Sequence, residues 1–333
     1  MVASRPALTL TPRAPFDASS ILAYLSRSPL EPLDVVMGGA YRRAVVLGRQ
    51  PVLLEAAPGG SVDAPTVTVR VLATGAPLGG GSRPTADTSG ASTGVPDEAA
   101  TLALAAEAIG HWWRVEQDLS ELDAIAAGDP ILGTLLARLH GARSPLMPSP
   151  FECLVWAILG QQITLAFAYK MKRALVERYG TSLEYDGRTY WLFPEAARLA
   201  EADPADLREI QFSRQKSDYV RSLAALVAED RIPWDQLAAA PAEEAISELT
   251  ALRGVGRWTA EYVAMRGLGH PDVIPAADVG LQTAIGRAYD LGRKATEQQV
   301  RALAEGWRPR RSHAAYAWWW SLSAKSPSCE AGV

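Results

Sequence analysis

The sequence predicts a mostly α-helical chain led by a small α+β domain, and three observations carry that fold class. Alternating β-type runs occur only before residue 73. Beyond residue 97 apolar residues recur at helical spacing, punctuated by Pro, Gly and short polar residues where helices start. Within the helical part, Leu249-Thr250-Ala251-Leu252-Arg253-Gly254-Val255-Gly256-Arg257-Trp258-Thr259-Ala260 sets two glycines one residue apart between amphipathic stretches. That pattern predicts a helix–hairpin–helix over 242–266.

The elements follow in order. Leu8 to Thr11 alternates and predicts a first strand, and Ser19 or Ser20 can cap a helix over 21–25 that stops near Pro29. β-type runs come next at 34–37, 41–47 and 52–56, and Val67 to Leu72 alternates most cleanly. Strands with one or two helices against them form the α+β unit, assigned to residues 1–73. Residues 74–96 are rich in Gly, Ser, Thr and Pro and are expected to form a flexible loop. Helix is expected from Pro96 past Trp113, then over 118–126, 130–140 and 151–179, the last interrupted around Gly160-Gln161-Gln162. Further helices are expected over 194–202, 204–210, 213–229, 241–250, 259–266, 279–288, 297–305 and 312–323. The helical region is taken as 97–325, with 326–333 as a tail.

Composition narrows the functional classes. A chain of 333 residues with 48% hydrophobic and 21% charged residues can bury substantial globular cores. Its two cysteines, Cys153 and Cys329, are too few for a disulfide framework, a zinc knuckle or an iron–sulfur cluster. Met1 to Phe16 lacks the apolar core of a signal peptide, and no apolar run reaches the ~18 residues of a membrane span. A cytoplasmic protein with no membrane partner is expected. The net charge of −4 weighs against a nucleic-acid partner. The charge is uneven, however: residues 253–325 carry eleven Lys/Arg against six Asp/Glu, and residues 1–140 carry ten against fourteen. A local basic surface on an acidic carrier is compatible with DNA, although chance unevenness gives the same counts.

The candidate chemistry lies around the hairpin. Gly254 and Gly256 are expected to provide a positive φ or a close backbone approach. The helix after them presents free N–H groups suited to a phosphate. An ordinary glycine turn between packed helices is the plain alternative. Asp278 lies 22 residues after Gly256 and just before an apolar-periodic run. It reads as a helix N-cap or as a fixed, ionised carboxylate facing a developing cation, and both can hold. Trp258 and Tyr262 share a helix face, in the core or as a wall for a base. In Tyr316-Ala317-Trp318-Trp319-Trp320, three consecutive indoles sweep ~200° of a helix, so at least one must line a cleft or partner surface. Gln161 and Gln162 interrupt a hydrophobic helix, as a simple loop or as a polar rim or inserted wedge.

Together these residues resemble the helix–hairpin–helix DNA glycosylase superfamily, in particular the bacterial DNA-3-methyladenine glycosylase II type. Four blocks carry the likeness over about residues 148–325. They are Phe151-Glu152 with Ala157-Ile158-Leu159-Gly160-Gln161-Gln162, Gly254 to Tyr262, Pro275 to Asp278, and Trp307-Arg308-Pro309 with Arg311-Ser312. A fainter match joins Ala14-Pro15-Phe16-Asp17 to the family's N-terminal α+β domain. The resemblance implies base excision repair of double-stranded DNA by a monomeric, nucleoid-associated enzyme. By the same likeness Asp278 is the essential carboxylate, and Trp258, Tyr262 and Trp319, with Tyr24 contributing less, wall the pocket for a flipped base. Gln162 matches the residue that fills the gap. Gly254, Val255, Gly256 and Thr259 match the contacts to the DNA backbone. No cofactor is implied beyond a structural Na+ or K+ that the carbonyls of Thr250, Leu252 and Val255 can hold.

Bifunctional members carry a Lys where Trp258 stands, so no lyase activity is expected. N-alkylated purines such as 3-methyladenine and 7-methylguanine are cationic good leaving groups, and an aromatic pocket attracts them by ~0.5–2 kcal/mol of cation–π stacking. Two alternatives remain at this point: a glycosylase for uracil, hypoxanthine or mismatched bases, and a catalytically silent protein that binds damaged DNA.

Overall fold

A computed structural model of the chain describes residues 5–77 and 97–322. Most of the expected loop at 74–96, the tail at 326–333 and Cys329 lie outside the described residues. The N-terminal strands β1 (Ala7–Leu10), β2 (Val35–Met37), β3 (Ala40–Leu47), β4 (Gln50–Gly60) and β5 (Pro65–Thr74) form one antiparallel sheet in the order β1-β5-β4-β3-β2. Helix α1 (Ala18–Leu25) starts one turn earlier than expected, because Asp17 and not Ser19 or Ser20 is its cap. The Asp17 carboxylate accepts from the Ser19 N–H at 3.0 Å. Helix α2 (Glu98–Trp112) lays Ala105, Ile109 and Trp112 on the sheet face that carries Tyr41, Leu54, Val67 and Val69. This core therefore draws on residues past 97, where the helical region was expected to begin.

The rest of the chain is helical: α3 (Glu121–Gly128), α4 (Pro130–Arg138), α5 (Pro150–Gly160) and α6 (Leu165–Tyr179), then α7 (Ala196–Ala200), α8 (Pro204–Glu209), α9 (Arg214–Ala228) and α10 (Trp234–Ala239). After these come α11 (Ala242–Thr250), α12 (Arg257–Arg266), α13 (Val279–Ala288), α14 (Glu297–Ala304), a 3-10 turn (Glu305–Trp307) and α15 (Arg311–Ser321). Two elements fall in the gaps between the expected helices. One is the short α10. The other is a β-hairpin, β6 (Ser182–Tyr185) with β7 (Arg188–Trp191). Asp186 and Gly187 form its two-residue turn at φ +52° and +68°, the left-handed geometry that Asp-Gly favours. Tyr190, with Leu192 after it, covers Ala44, Leu53 and Leu72 on the second face of the N-terminal sheet.

A buried charge cluster joins the sheet to the helices. Arg43 of β3, 1% exposed, bonds Asp34 at 2.6 Å and reaches Glu152 in the first turn of α5. Lys172 of α6 lies 3.4 Å from the same Glu152 and 2.9 Å from Glu31. The Tyr41 hydroxyl donates to Asp34 at 2.8 Å. Burial alone would raise the Asp34 pKa. Arg43, Lys172 and the hydrogen bonds from Arg43 and Tyr41 outweigh it and hold this carboxyl below its usual range.

Arg43→Met should cost about 3–5 kcal/mol in urea unfolding, because it takes the ion-pair partner from Asp34 and one of two cations from the buried Glu152. The folded pKa of Asp34 lies below its unfolded value, so its ionisation contributes stability above about pH 4 that is lost as pH falls through the folded value. Urea unfolding followed from pH 7 to pH 3 should show a smaller acid loss in Asp34→Asn than in the wild type.

Candidate active site

The hairpin needs its two glycines for different reasons. Gly254 sits at φ +91°, and a Cβ there would lie 2.4 Å from the Tyr219 ring. Gly256 departs from the expectation for both glycines. Its φ of −85° and ψ of 173° are ordinary extended values, and a Cβ would meet nothing within 4 Å. No side chain caps α12 after Gly256, which leaves its leading N–H groups to solvent or a ligand. Gly254, Val255 and Gly256 face Gln161, Gln162, Lys216 and Tyr219 across an open cleft of about 400 Å³. Of the carbonyls suited to a cation, that of Leu252 already accepts the Val255 N–H at 3.1 Å.

The α5–α6 loop is tied to the hairpin. The Gln161 side-chain amide donates to the Gly254 carbonyl at 3.2 Å and to the Thr259 hydroxyl at 3.1 Å. The Lys216 ammonium closes the end of α5 on the carbonyls of Leu159 (2.6 Å) and Gln161 (2.9 Å), and burial lowers its pKa. Gln162 is exposed next to this anchor at φ +58°, a strained conformation for a side chain of its size.

Asp278 is the N-cap of α13, so the structural reading of this residue holds. Its Oδ1 accepts from the Leu281 N–H at 2.8 Å and from Trp319 Nε1 at 2.9 Å. Its Oδ2 accepts from Trp258 Nε1 at 3.2 Å. Those two indoles flank Tyr262, with ring centroids 5.6 and 5.7 Å away and tilts of 36° and 43°. The Tyr262 hydroxyl accepts from Trp156 Nε1 at 3.1 Å, and burial pushes its pKa up, so the phenol stays neutral. Trp318 and Trp320 are buried, Trp318 against Trp307 and Tyr289, which makes Trp319 the indole of the run that reaches a polar group. The structure thus brings together Asp278, Trp258, Tyr262 and Trp319. Tyr24 lies apart from this ring stack. Arg27 covers its ring at 3.8 Å, and it shares with Tyr262 the lining of an inner cavity of about 30 Å³.

Sequence reasoning missed Gln161 as a tether, together with Lys216, Trp156 and Tyr219. Only Gln161 had a signal, its place beside Gln162. Part of the basic charge of the C-terminal part is also paired with carboxylates. Arg257 and Arg301 meet at Glu261, Arg308 and Arg311 hold Asp272, and Arg310 holds Glu121.

Residues 155–309 match the HhH-GPD superfamily of base excision DNA repair proteins. A DNA-3-methyladenine glycosylase of Bacillus subtilis (strain 168) is 36% identical over 211 residues, 63% of this chain and 70% of that protein. The chain belongs to the HhH-GPD superfamily. DNA-3-methyladenine glycosylase 2 of Escherichia coli (strain K12) is 29% identical over 313 residues, 94% of this chain and 96% of its own length. The solved structure of a 3-methyladenine DNA-glycosylase from Archaeoglobus fulgidus superposes with a TM-score of 0.76 at 25% identity, covering 94% of this chain and 97% of that one. The HhH-GPD match begins inside α5 and ends just past the 3-10 turn, so it holds the Gln161–Gln162 loop, the hairpin and Asp278.

Gly254→Ala should destabilise the fold by about 1–3 kcal/mol, since it strains the backbone and strikes the Tyr219 ring. Gly256→Ala should stay within about 0.5 kcal/mol of the wild type. Thermal or urea unfolding of the pair checks this contrast.

Proposed function

We propose that the chain is a monofunctional DNA glycosylase that flips an N-alkylated purine, 3-methyladenine or 7-methylguanine, out of duplex DNA and hydrolyses its glycosidic bond. The observation that carries this reading is the Asp278 carboxylate, held by two indole N–H groups at the edge of the Trp258–Tyr262–Trp319 wall. The names of the Bacillus, Escherichia and Archaeoglobus relatives support it.

An N-alkylated purine carries a positive charge, so it leaves without prior protonation. The bond between the sugar C1′ and the base nitrogen breaks with its electron pair going to the base, which departs neutral. Asp278 stabilises the positive charge that grows on the sugar, water adds to C1′, and Asp278 or solvent takes the water's proton. The aromatic wall stacks on the cationic base, and a damaged pair costs less to unstack. Gln162, strained and exposed, fills the space the base vacates. Main-chain N–H groups of Gly254, Val255, Gly256 and Thr259 grip the backbone phosphates, which fixes register without reading sequence. The carbonyls of Thr250, Leu252 and Val255 can add a monovalent cation at the same turn. Tyr24 contributes from the α+β domain, and the enzyme acts as a monomer. Trp258 offers no amine for a Schiff base with the sugar, so the strand is left intact.

Asp278→Asn should lower release of 3-methyladenine from alkylated DNA by about 10²–10⁴-fold in single-turnover assays. Survival of that activity would remove Asp278 from the chemistry. Abasic DNA incubated with the protein and borohydride should yield no covalent adduct on a denaturing gel. A trapped adduct would overturn the monofunctional reading.

A further inference from the structure

The inner cavity behind Tyr262 has a chemistry that a wall for cationic bases does not explain. Two guanidinium groups line it, those of Arg27 and Arg266. Lys172 on the same lining is matched by Glu31 and Glu152. Among the described residues, neither Arg27 nor Arg266 has a carboxylate within ion-pair distance. Arg27 donates to the Tyr24 carbonyl at 2.9 Å and stacks on the Tyr24 ring. Arg266 is 2% exposed, donates to the Ser144 hydroxyl at 3.2 Å, and its Nε is buried without a partner. Arginine keeps its charge at any accessible pH, so the buried N–H groups of Arg266 cannot escape the cost of burial by deprotonating. An acceptor delivered by a ligand would satisfy them.

The surroundings define that ligand. Tyr24, Trp156, Tyr169 and Tyr262 give the cavity aromatic sides, and its free volume of about 30 Å³ has room for one water-sized atom, such as a single carbonyl oxygen on the edge of a ring held outside it. Tyr262 spans both regions, stacking with the indoles that hold Asp278 and lining the cavity with its partner Trp156. A flipped purine bound against Tyr262 can therefore direct one edge inward. At position 6 of the ring, 7-methylguanine and hypoxanthine carry a carbonyl, which accepts, whereas 3-methyladenine carries an amino group, which donates. An amino group at that position would meet the guanidinium donors with N–H bonds of its own.

We propose that the cavity reads the six-keto edge of the purine, with Arg27 and Arg266 donating to its carbonyl oxygen, so that this chain favours 7-methylguanine over 3-methyladenine. The inference rests on the glycosylase reading above and deepens it by assigning specificity-determining residues. A site built to donate to a carbonyl discriminates strongly against an analogue that lacks one, because its buried donors are then left unpaired. The same donors stabilise negative charge that moves onto the ring oxygen when a neutral keto purine such as hypoxanthine departs with the bonding pair.

The test compares wild type, Arg27→Met and Arg27→Gln in single-turnover release of 7-methylguanine and 3-methyladenine from the same duplex, with thermal melts to establish folding. The ratio of the 7-methylguanine rate to the 3-methyladenine rate should fall about tenfold in Arg27→Met, as expected for one lost charge-assisted hydrogen bond, and recover in part in Arg27→Gln, which restores a donor. A ratio that does not move, or both rates falling together in a folded variant, would overturn it. Free bases titrated against the tryptophan fluorescence give a second readout that needs no catalysis. Wild type should bind 7-methylguanine more tightly than 3-methyladenine, and Arg27→Met should lose that difference. Equal binding of both bases by the wild type would sink the inference. A wild type that releases neither base yet keeps the binding preference would count against the glycosylase reading and support the cavity assignment.

Discussion

One carboxylate is fixed by donors from three helices, and the site depends on that convergence. Asp278 takes its backbone donor from α13, one indole from α12 and another from α15. Each donor restrains the other two. The cap sets where α13 begins, the indoles set the tilt of the rings beside Tyr262, and the rings in turn keep the carboxylate from rotating. An N-cap is often interchangeable among Ser, Thr, Asn and Asp. Here only a group with two accepting oxygens satisfies all three donors, so the structural role demands the same carboxylate that the proposed chemistry uses.

The second constraint acts between distant parts of the chain. The cluster of Arg43, Asp34, Glu152, Lys172 and Glu31 places the N-terminal sheet against the start of α5 and the middle of α6. That placement brings Tyr24 and Arg27 of the α1 region to the same cavity as Tyr262 and Arg266 of α12. Ion pairs of this kind contribute little net stability against apolar substitutes, and their value lies in fixing one relative position. The HhH-GPD match begins in α5, so these N-terminal side chains add to a pocket whose Trp258 and Tyr262 lie inside the matched segment, with Trp319 just past its end.

What could be read from the sequence was what is encoded locally. The Gly-x-Gly hairpin, the capping position of Asp278 and the impossibility of burying three successive indoles in one core are all short-range statements. The β6–β7 hairpin was equally local, since Asp186-Gly187 is a strong turn signal, but the helical pattern on either side obscured it. Other features could not be read because they join residues far apart in the sequence, from 35 to well over a hundred positions. Gly254 is required by the Tyr219 ring, and nothing in the turn itself names that partner. Arg43 lies in an apolar strand as if exposed, and only Glu152 from α5 explains its burial. The same holds for Arg27 and Arg266, which meet only once α1 and α12 face one cavity.

The pairing of Arg257, Arg301, Arg308, Arg310 and Arg311 with carboxylates has a consequence for how DNA is held. Cations already neutralised within the protein displace few of the ions condensed on a duplex. In the proposed mode, a grip made largely from main-chain dipoles would gain little from the entropy of counterion release, and its affinity would depend only weakly on ionic strength. Such a grip would let an acidic protein bind a polyanion, and would shift discrimination from the long-range field to the short-range fit at the flipped base.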